Sequence, residues 1–340
     1  MALTLVPKTG QVLFTTFNAL YQGAYQAVEK FYEDFATTMP SNSETQLYHW
    51  IAQLPGMRAW IGPRQMNNAV LRGYSLTNVV YEDSIALDKF KVKNDQWGAF
   101  GPSVTAFGDA VGKWPDQVMA AVVDAGHTTL CVDGQNFFDT DHPVSMSDAS
   151  QGTFSNMGDG AAYDLRIDPV GAFNLARSAM ASFVGDAGQP LGLLADTIMV
   201  HPALERYATQ IATSELIPQT YAATGLPTAG SIVAAASSSN PFKGRVKVIV
   251  NPFLTNVAAY VYCSNRPIKP FVWQLREAPV FQALVDPTLP NMFERREFVY
   301  GAEAQGAGGY SLPFLCIRLS NGLASAATLA TGQSSTVGGS

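Results

Sequence analysis

One run limits this chain more than any other. Between residues 95 and 125, Phe100, Val104, Phe107, Val111, Val118, Met119, Val122 and Val123 keep a helical rhythm. Ala125-Gly126 supplies a stop. Pro102 falls near the start, but Pro115 lies inside, where it should kink or reset the helix. A helix this long has no place in an all-β jelly roll.

The segments around it fill in the class. Residues 11–38 read as helical, with Phe14, Phe17, Leu20, Tyr21, Tyr25, Val28, Phe31, Tyr32 and Phe35 three or four apart. Pro40-Ser41-Asn42-Ser43 ends that stripe. It is either a plain core helix or an arm docking on a neighbour; the arm is preferred, with Phe14, Phe17, Tyr21 and Tyr25 as its contacts. A β-like stretch follows over 69–92. One parity holds Ser75, Thr77, Val79, Tyr81, Asp83, Ile85 and Leu87; the other holds Tyr74, Leu76, Asn78, Val80, Glu82 and Ser84. Neither set is cleanly apolar, which predicts a ribbon projecting from the body.

Residues 127–165 are rich in loops. A helix is expected over 169–184, with Asp168 as N-cap and Pro169 at its first position. A short strand over 194–200 turns at His201-Pro202 into a helix over 203–213. A small, polar stretch over 225–241 is a loop. Strands are expected over 247–253, 258–264, 270–276, 293–304 and 310–319. Strands and helices do not alternate regularly, so the class is α+β and not a doubly wound sheet. No internal repeat is present.

Composition narrows the function. Only 14% of the 340 residues are charged, against roughly 25% in ordinary soluble proteins. With 47% apolar residues the chain is not disordered. Its net charge is −6, and its densest basic spots are Lys89, Lys91 and Lys93, and Arg295-Arg296. A sequence-wide electrostatic grip on nucleic acid is therefore not expected. Cys131, Cys263 and Cys316 are far apart and lie in apolar contexts. They read as buried free thiols of a reducing compartment. No segment approaches the ~18 apolar residues of a membrane span, and the first ten residues do not resemble a signal peptide. A soluble protein made in the cytoplasm is expected.

The search for chemistry finds little. His49, His127, His142 and His201 form no HExxH, and neither a GxSxG elbow nor a GxxxxGK[ST] loop occurs. The glycines of 301–309 read as a turn or bulge. Asp139-Thr140-Asp141-His142 offers two carboxylates and an imidazole for a divalent ion. The preferred reading is a cluster of Asx turns ahead of Pro143. His127 reads as a helix C-terminal residue and His201 as a strand-to-helix joint. No catalytic, cofactor-binding or metal-binding residue is assigned, and no cofactor is expected.

Longer blocks carry a resemblance. Trp60-Ile61-Gly62-Pro63-Arg64-Gln65 and Tyr81-Glu82-Asp83-Ser84-Ile85-Ala86-Leu87-Asp88 come first. Trp114-Pro115-Asp116-Gln117 follows, then Asp133-Gly134-Gln135-Asn136-Phe137-Phe138-Asp139-Thr140-Asp141-His142-Pro143, the most specific block. Arg295-Arg296-Glu297-Phe298, Tyr300-Gly301-Ala302 and Gly309-Tyr310 close the set. Together, across about 45–322, they resemble the major head subunit family of Mu-like phages and prophages (gpT-like).

The resemblance implies an HK97-like major capsid protein. Residues 1–56 become an N-terminal arm and 57–94 an extended loop, the E-loop, that lies over a neighbouring subunit. Residues 95–165 and 270–322 become the peripheral domain, 166–269 the axial domain, and 323–340 a C-terminal tail. Arg64, Gln65, Asn67, Asn68, Arg72 and Tyr74 become candidates for the intersubunit loop contact. The implied partners are the chain itself in hexamers and pentamers, a separate scaffolding protein, a portal protein and a candidate decoration protein. The shell encloses double-stranded DNA without sequence-specific binding, touches no membrane, and belongs to the virion. The loop tip, 67–73, holds no Lys, so no isopeptide crosslink is expected there. Two rival readings stand beside this one: an encapsulin-type shell protein, and a metal-dependent hydrolase using Asp139, Asp141 and His142.

Overall fold

The computed structural model describes residues 6–51, 71–88, 91, 100–145, 149–185, 188–219, 236–284 and 295–320. In chain order the elements are α1 (Val6–Ala27), α2 (Tyr32–Phe35), β1 (Ala36–Pro40), β2 (Thr45–Ile51), β3 (Leu71–Thr77), β4 (Val79–Asp88) and α3 (Phe100–Ala125). Then come β5 (His142–Pro143), β6 (Thr153–Phe154), β7 (Met157–Asp159), α4 (Pro169–Ala181), β8 (Thr197–Val200) and α5 (Glu205–Thr213). The remainder is β9 (Leu216–Gln219), β10 (Ala236–Ser239), β11 (Lys247–Val250), β12 (Ala259–Tyr262), β13 (Phe271–Leu284), β14 (Glu297–Tyr310) and β15 (Cys316–Ser320). The mixture is α+β. Two compact units divide the chain: Met1–Tyr48 with Ser75–Met119 and Val272–Gly309, and His49–Tyr74 with Ala120–Phe271 and Tyr310–Ser340.

The first unit is a four-stranded sheet in the order β1-β13-β14-β4, with α1 and the start of α3 on one face. Its core joins Phe17 and Tyr21 of α1 to Val104 and Phe107 of α3, and to Leu87, Phe281, Phe298 and Tyr300 of the sheet. The aromatic stripe of α1 is thus used inside its own chain. Tyr21 stacks on Phe281 at 4.7 Å, and Phe14 stacks on the same ring at 5.7 Å. The preferred docking-arm reading therefore does not describe this face. The physical reason is a pair of glycines one turn apart on α3. A Cβ at Gly108 would lie 2.6 Å from the Tyr21 carbonyl oxygen, and one at Gly112 would lie 2.6 Å from Val28 Cγ2. Without side chains there, α1 lies directly on α3 and its rings reach the sheet.

α3 is helical straight through Pro115, so the expected reset does not occur. Next to that proline, Asp116 Oδ1 accepts the Tyr32 N–H at 2.6 Å and caps α2. Burial pushes the Asp116 carboxyl up to about 6, and the backbone N–H groups of Tyr32 and Phe31 offset part of that cost.

The stretch expected as one projecting ribbon resolves into two strands with different partners. β3 pairs with β2, where the Thr45 and Thr77 hydroxyls meet at 3.0 Å. β4 instead runs antiparallel to β14 from Val79↔Gly306 to Asp88↔Glu297. Its weak two-faced pattern is that of an edge strand with one face on the core. The glycines of 301–309 are not a turn or bulge either; they lie within β14. They leave room for bulky neighbours, since a Cβ at Gly309 would meet the Leu76 side chain at 2.6 Å.

The second unit is built on a five-stranded sheet in the order β11-β8-β12-β15-β7. β11 is parallel to β8, β12 is antiparallel to β8 and β15, and β7 is parallel to β15. One face packs on α4 and α5 through Phe173, Ala176, Met180, Ala208 and Ile211. α4 begins as its sequence dictates: Asp168 Oδ1 accepts the Gly171 N–H at 2.9 Å, and Pro169 follows at the first position. His201 Nδ1 accepts the Ala203 N–H at 3.0 Å, which makes it the joint between β8 and the helical segment after it.

Candidate functional site: the 131–143 loop and the assembly residues

The most specific sequence block forms a tight loop in the second unit. Residues 129–137 fold back on themselves. The Cys131 N–H donates to the Gln135 carbonyl at 2.8 Å, and the Phe137 N–H to the Thr129 carbonyl at 3.1 Å. Gly134 makes the reversal with a φ of +88°, a conformation natural to glycine. Phe137 and Phe138 then turn inward. Phe137 stacks on Tyr310 at 4.7 Å and Phe138 meets Tyr260 at 5.5 Å. The Tyr310 hydroxyl donates to the Val122 carbonyl at 2.7 Å, tying this floor to the end of α3. Asp124, also near that end, accepts the Thr255 N–H and hydroxyl at 2.6 and 2.7 Å.

Below the loop lies a buried polar chain. His142 Nδ1 meets Asp133 Oδ2 at 2.6 Å, and the two side chains are 0% and 1% exposed. Cys131 Sγ donates to Asp133 Oδ1 at 2.9 Å. The His142 ring stacks on Phe154 at 5.2 Å, and its Nε2 is buried without a partner. Burial alone would raise the Asp133 carboxyl, but hydrogen bonds from His142 and Cys131 outweigh it and hold the group below its usual range. Burial, then the Asp133 charge, pushes the Cys131 thiol far up. This is an unfavourable setting for a thiolate nucleophile. The thiol also donates to the carboxylate and not to the imidazole, so no nucleophile–base pair is formed.

Cys131, Asp133 and His142 are also the described group whose donor atoms converge within 4.8 Å, close enough to share a metal ion. Three donors are one short of the closed four-donor set of a structural zinc site. The sequence grouped Asp139, Asp141 and His142 instead, and the structure does not bring those together. Asp139 Oδ1 accepts the Thr140 N–H at 2.7 Å, its backbone N–H donates to Asn156 Oδ1 at 2.9 Å, and Asp141 is exposed. The geometry makes the block an anchor for a loop. Asn156, fully buried, adds hydrogen bonds to the Phe137 and Pro313 carbonyls at 2.7 and 3.1 Å.

The three cysteines are free and buried, as their contexts led one to expect. Among the described residues no helix is long and apolar enough to cross a membrane. Of the expected loop contacts, Arg64, Gln65, Asn67 and Asn68 lie outside the described residues. Arg72 falls in β3, and Tyr74 is half-buried, with burial pushing its hydroxyl above the ordinary range. Of the expected arm contacts, Phe17 and Tyr21 are buried, while Phe14 and Tyr25 are half-buried.

A family model described as Mu-like prophage major head subunit gpT matches residues 11–166, 170–254 and 255–335. The chain belongs to that family. Its gpT relatives include the Mu-like prophage FluMu major head subunit of Haemophilus influenzae, 30% identical over 157 residues. That alignment covers 46% of this chain and 51% of the relative. The major capsid protein of Escherichia phage Mu is 27% identical over 142 residues, or 42% of this chain and 47% of that one. The matched stretch thus spans about half the length of these curated relatives. Among solved structures, the procapsid of bacteriophage JBD30 superposes with a TM-score of 0.57 at 22% identity, over 96% of this chain and 80% of that one. That likeness speaks for the fold, which is the HK97-like α+β architecture of phage capsid proteins.

Sequence reasoning placed the gpT block correctly but missed its chemistry. Asp133 and His142 are nine positions apart, so a search confined to Asp139–His142 could not pair them. A polar, turn-forming Asp133-Gly134 beside Cys131 was the available signal.

Proposed function

We propose that this chain is the major capsid protein of a tailed phage, assembling into hexamers and pentamers of an icosahedral head around double-stranded DNA. The observation that carries the reading is the gpT family match, which runs nearly end to end in both units. The phage reading is preferred to the encapsulin-type alternative for the same reason. The role is structural and not catalytic, because the buried Cys131–Asp133–His142 chain is built to hold a loop.

In this reading residues 1–56 form the arm, 57–94 the E-loop, 95–165 and 270–322 the peripheral domain, 166–269 the axial domain, and 323–340 the tail. The inner face of α1 is already occupied, so arm contacts fall to its outer face, where Leu20 is 39% exposed. Arg64, Gln65, Asn67, Asn68, Arg72 and Tyr74 make the E-loop contact. A scaffolding protein, a portal protein and a decoration protein are the partners the reading calls for. A heterologous contact repeated around an axis closes a ring, and a curved shell requires one sequence to accept slightly different neighbours.

The test is expression with a candidate scaffolding protein, followed by negative-stain microscopy. Uniform shells are expected, and deletion of residues 67–73 should leave folded subunits that form none. Soluble chains that never assemble, or normal shells from the deletion, would defeat the respective parts of this reading.

A further inference from the structure

Residues 131–143 gather a thiol, a carboxylate and an imidazole just below the surface of the second unit. The donor atoms of Cys131, Asp133 and His142 all lie within 4.8 Å of one another. The Asp133 carboxylate opens between the other two: Oδ1 faces Cys131 Sγ at 2.9 Å, and Oδ2 faces His142 Nδ1 at 2.6 Å. A carboxylate held this way can chelate through both oxygens. The three side chains then supply four donor atoms, one sulfur, one nitrogen and two oxygens. Such a set suits an ion of the zinc type, which takes Cys, His and Asp ligands, whereas hard ions such as magnesium avoid thiolate.

The donors are positioned by the fold. The turn at Gly134 brings Cys131 and Asp133 to one side, and the Gln135 N–H donates to Asp133 Oδ1 at 3.0 Å. His142 is fixed by pairing with Phe154 between β5 and β6 and by stacking on that ring at 5.2 Å. Ligands that need no rearrangement lose little freedom on binding. We propose that Cys131, Asp133 and His142 bind one divalent transition-metal ion of the zinc class, which clamps the turn at Gly134 to β5. The ion takes the place of the thiol and Nδ1 protons that now link the three groups. The thiol proton leaves to solvent. The neutral ring carries its proton on Nε2, which makes no hydrogen bond that would have to be broken. Burial disfavours the Cys131 thiolate in the metal-free chain, and a dication beside it reverses that preference.

The test uses the full chain, purified without chelator and equilibrated with zinc. About one zinc per chain should survive gel filtration. Zinc at about a hundredfold excess over Kd should raise the melting temperature by roughly 5 °C or more, and magnesium should not. Cobalt in place of zinc should give a thiolate-to-metal absorption band. Cys131→Ser should abolish the band, while Cys263→Ala and Cys316→Ala should keep it. A chain that retains no zinc, or a band that persists in Cys131→Ser, overturns the proposal; the second result would mark an adventitious ion only. Should Cys131→Ser not fold, the zinc content and melting shift of the unaltered chain decide. None of these readouts depends on shell formation, so this proposal and the capsid reading stand or fall separately.

Discussion

The two large sheets of this molecule are finished differently. Every residue of β8 and β12 is buried. In that sheet, helices cover one face, and Phe138 packs on Tyr260 from the other. In β4, of ten residues only Leu87 is buried. The second unit closes its sheet with its own side chains, whereas the first leaves part of one face exposed, along β4 and at Val280 and Leu284 of β13. A sheet covered on both faces is stable by itself. A sheet with one partly exposed, partly apolar face is stable enough to fold, yet gains further when something lies on it.

That contrast can be broken or sharpened in five ways, taken from the largest expected effect down. Phe138→Ala should cost the second unit about 4 kcal/mol, because a ring between two layers leaves a cavity. Chemical denaturation would read it, and a cost below about 1 kcal/mol would mean that face is not closed. His142→Ala should cost about 3 kcal/mol, since it strands the Asp133 charge in the interior. Asp133→Asn with His142→Ala should recover part of that loss in the same assay. Gly108→Val should cost about 2 kcal/mol by forcing α1 off α3, read as a lower melting temperature and faster proteolysis within residues 6–27.

Asp116 gives a smaller, pH-dependent effect. Its folded form holds a proton more tightly than an unfolded aspartate, with a pKa pushed up to about 6. Acidification from pH 7 to pH 5 should therefore stabilise the first unit by about 1 kcal/mol through this group. Asp116→Asn keeps an acceptor for the Tyr32 N–H and should remove that slope. An unchanged slope in the variant would show that other groups carry it. Smallest of all, Val280→Thr on the exposed part of that face should alter subunit stability by less than about 0.5 kcal/mol. A larger loss would show that the face is covered within the subunit.

Much of this was legible in the sequence wherever the signal was local. Asp168-Pro169 announced α4, and the contexts of the three cysteines announced their burial. The Asp133–Pro143 block located the anchored loop and pointed to the family. What escaped was non-local. Gly108 and Gly112 look unremarkable on a helix until another helix lies against them. The edge position of β4 depends on ten cross-strand pairs with residues more than two hundred positions away. The glycines of 301–309 resembled a turn because their purpose, room for Leu76 and Trp273, belongs to distant residues. The aromatic stripe of α1 was recognised, but periodicity says which residues share a face and not whose surface that face meets.

One connection in the second unit bears on when the molecule becomes usable. β15, residues 316–320, is an inner strand lying between β12 and β7. While the ribosome is still making residue 320, that sheet lacks a middle row, and β7 has no strand to lie beside. Chains in progress on one message therefore cannot present a completed subunit to one another. A copy cut short before residue 316 is therefore expected to lack a completed sheet in its second unit, and limited proteolysis of such a truncated chain would show it.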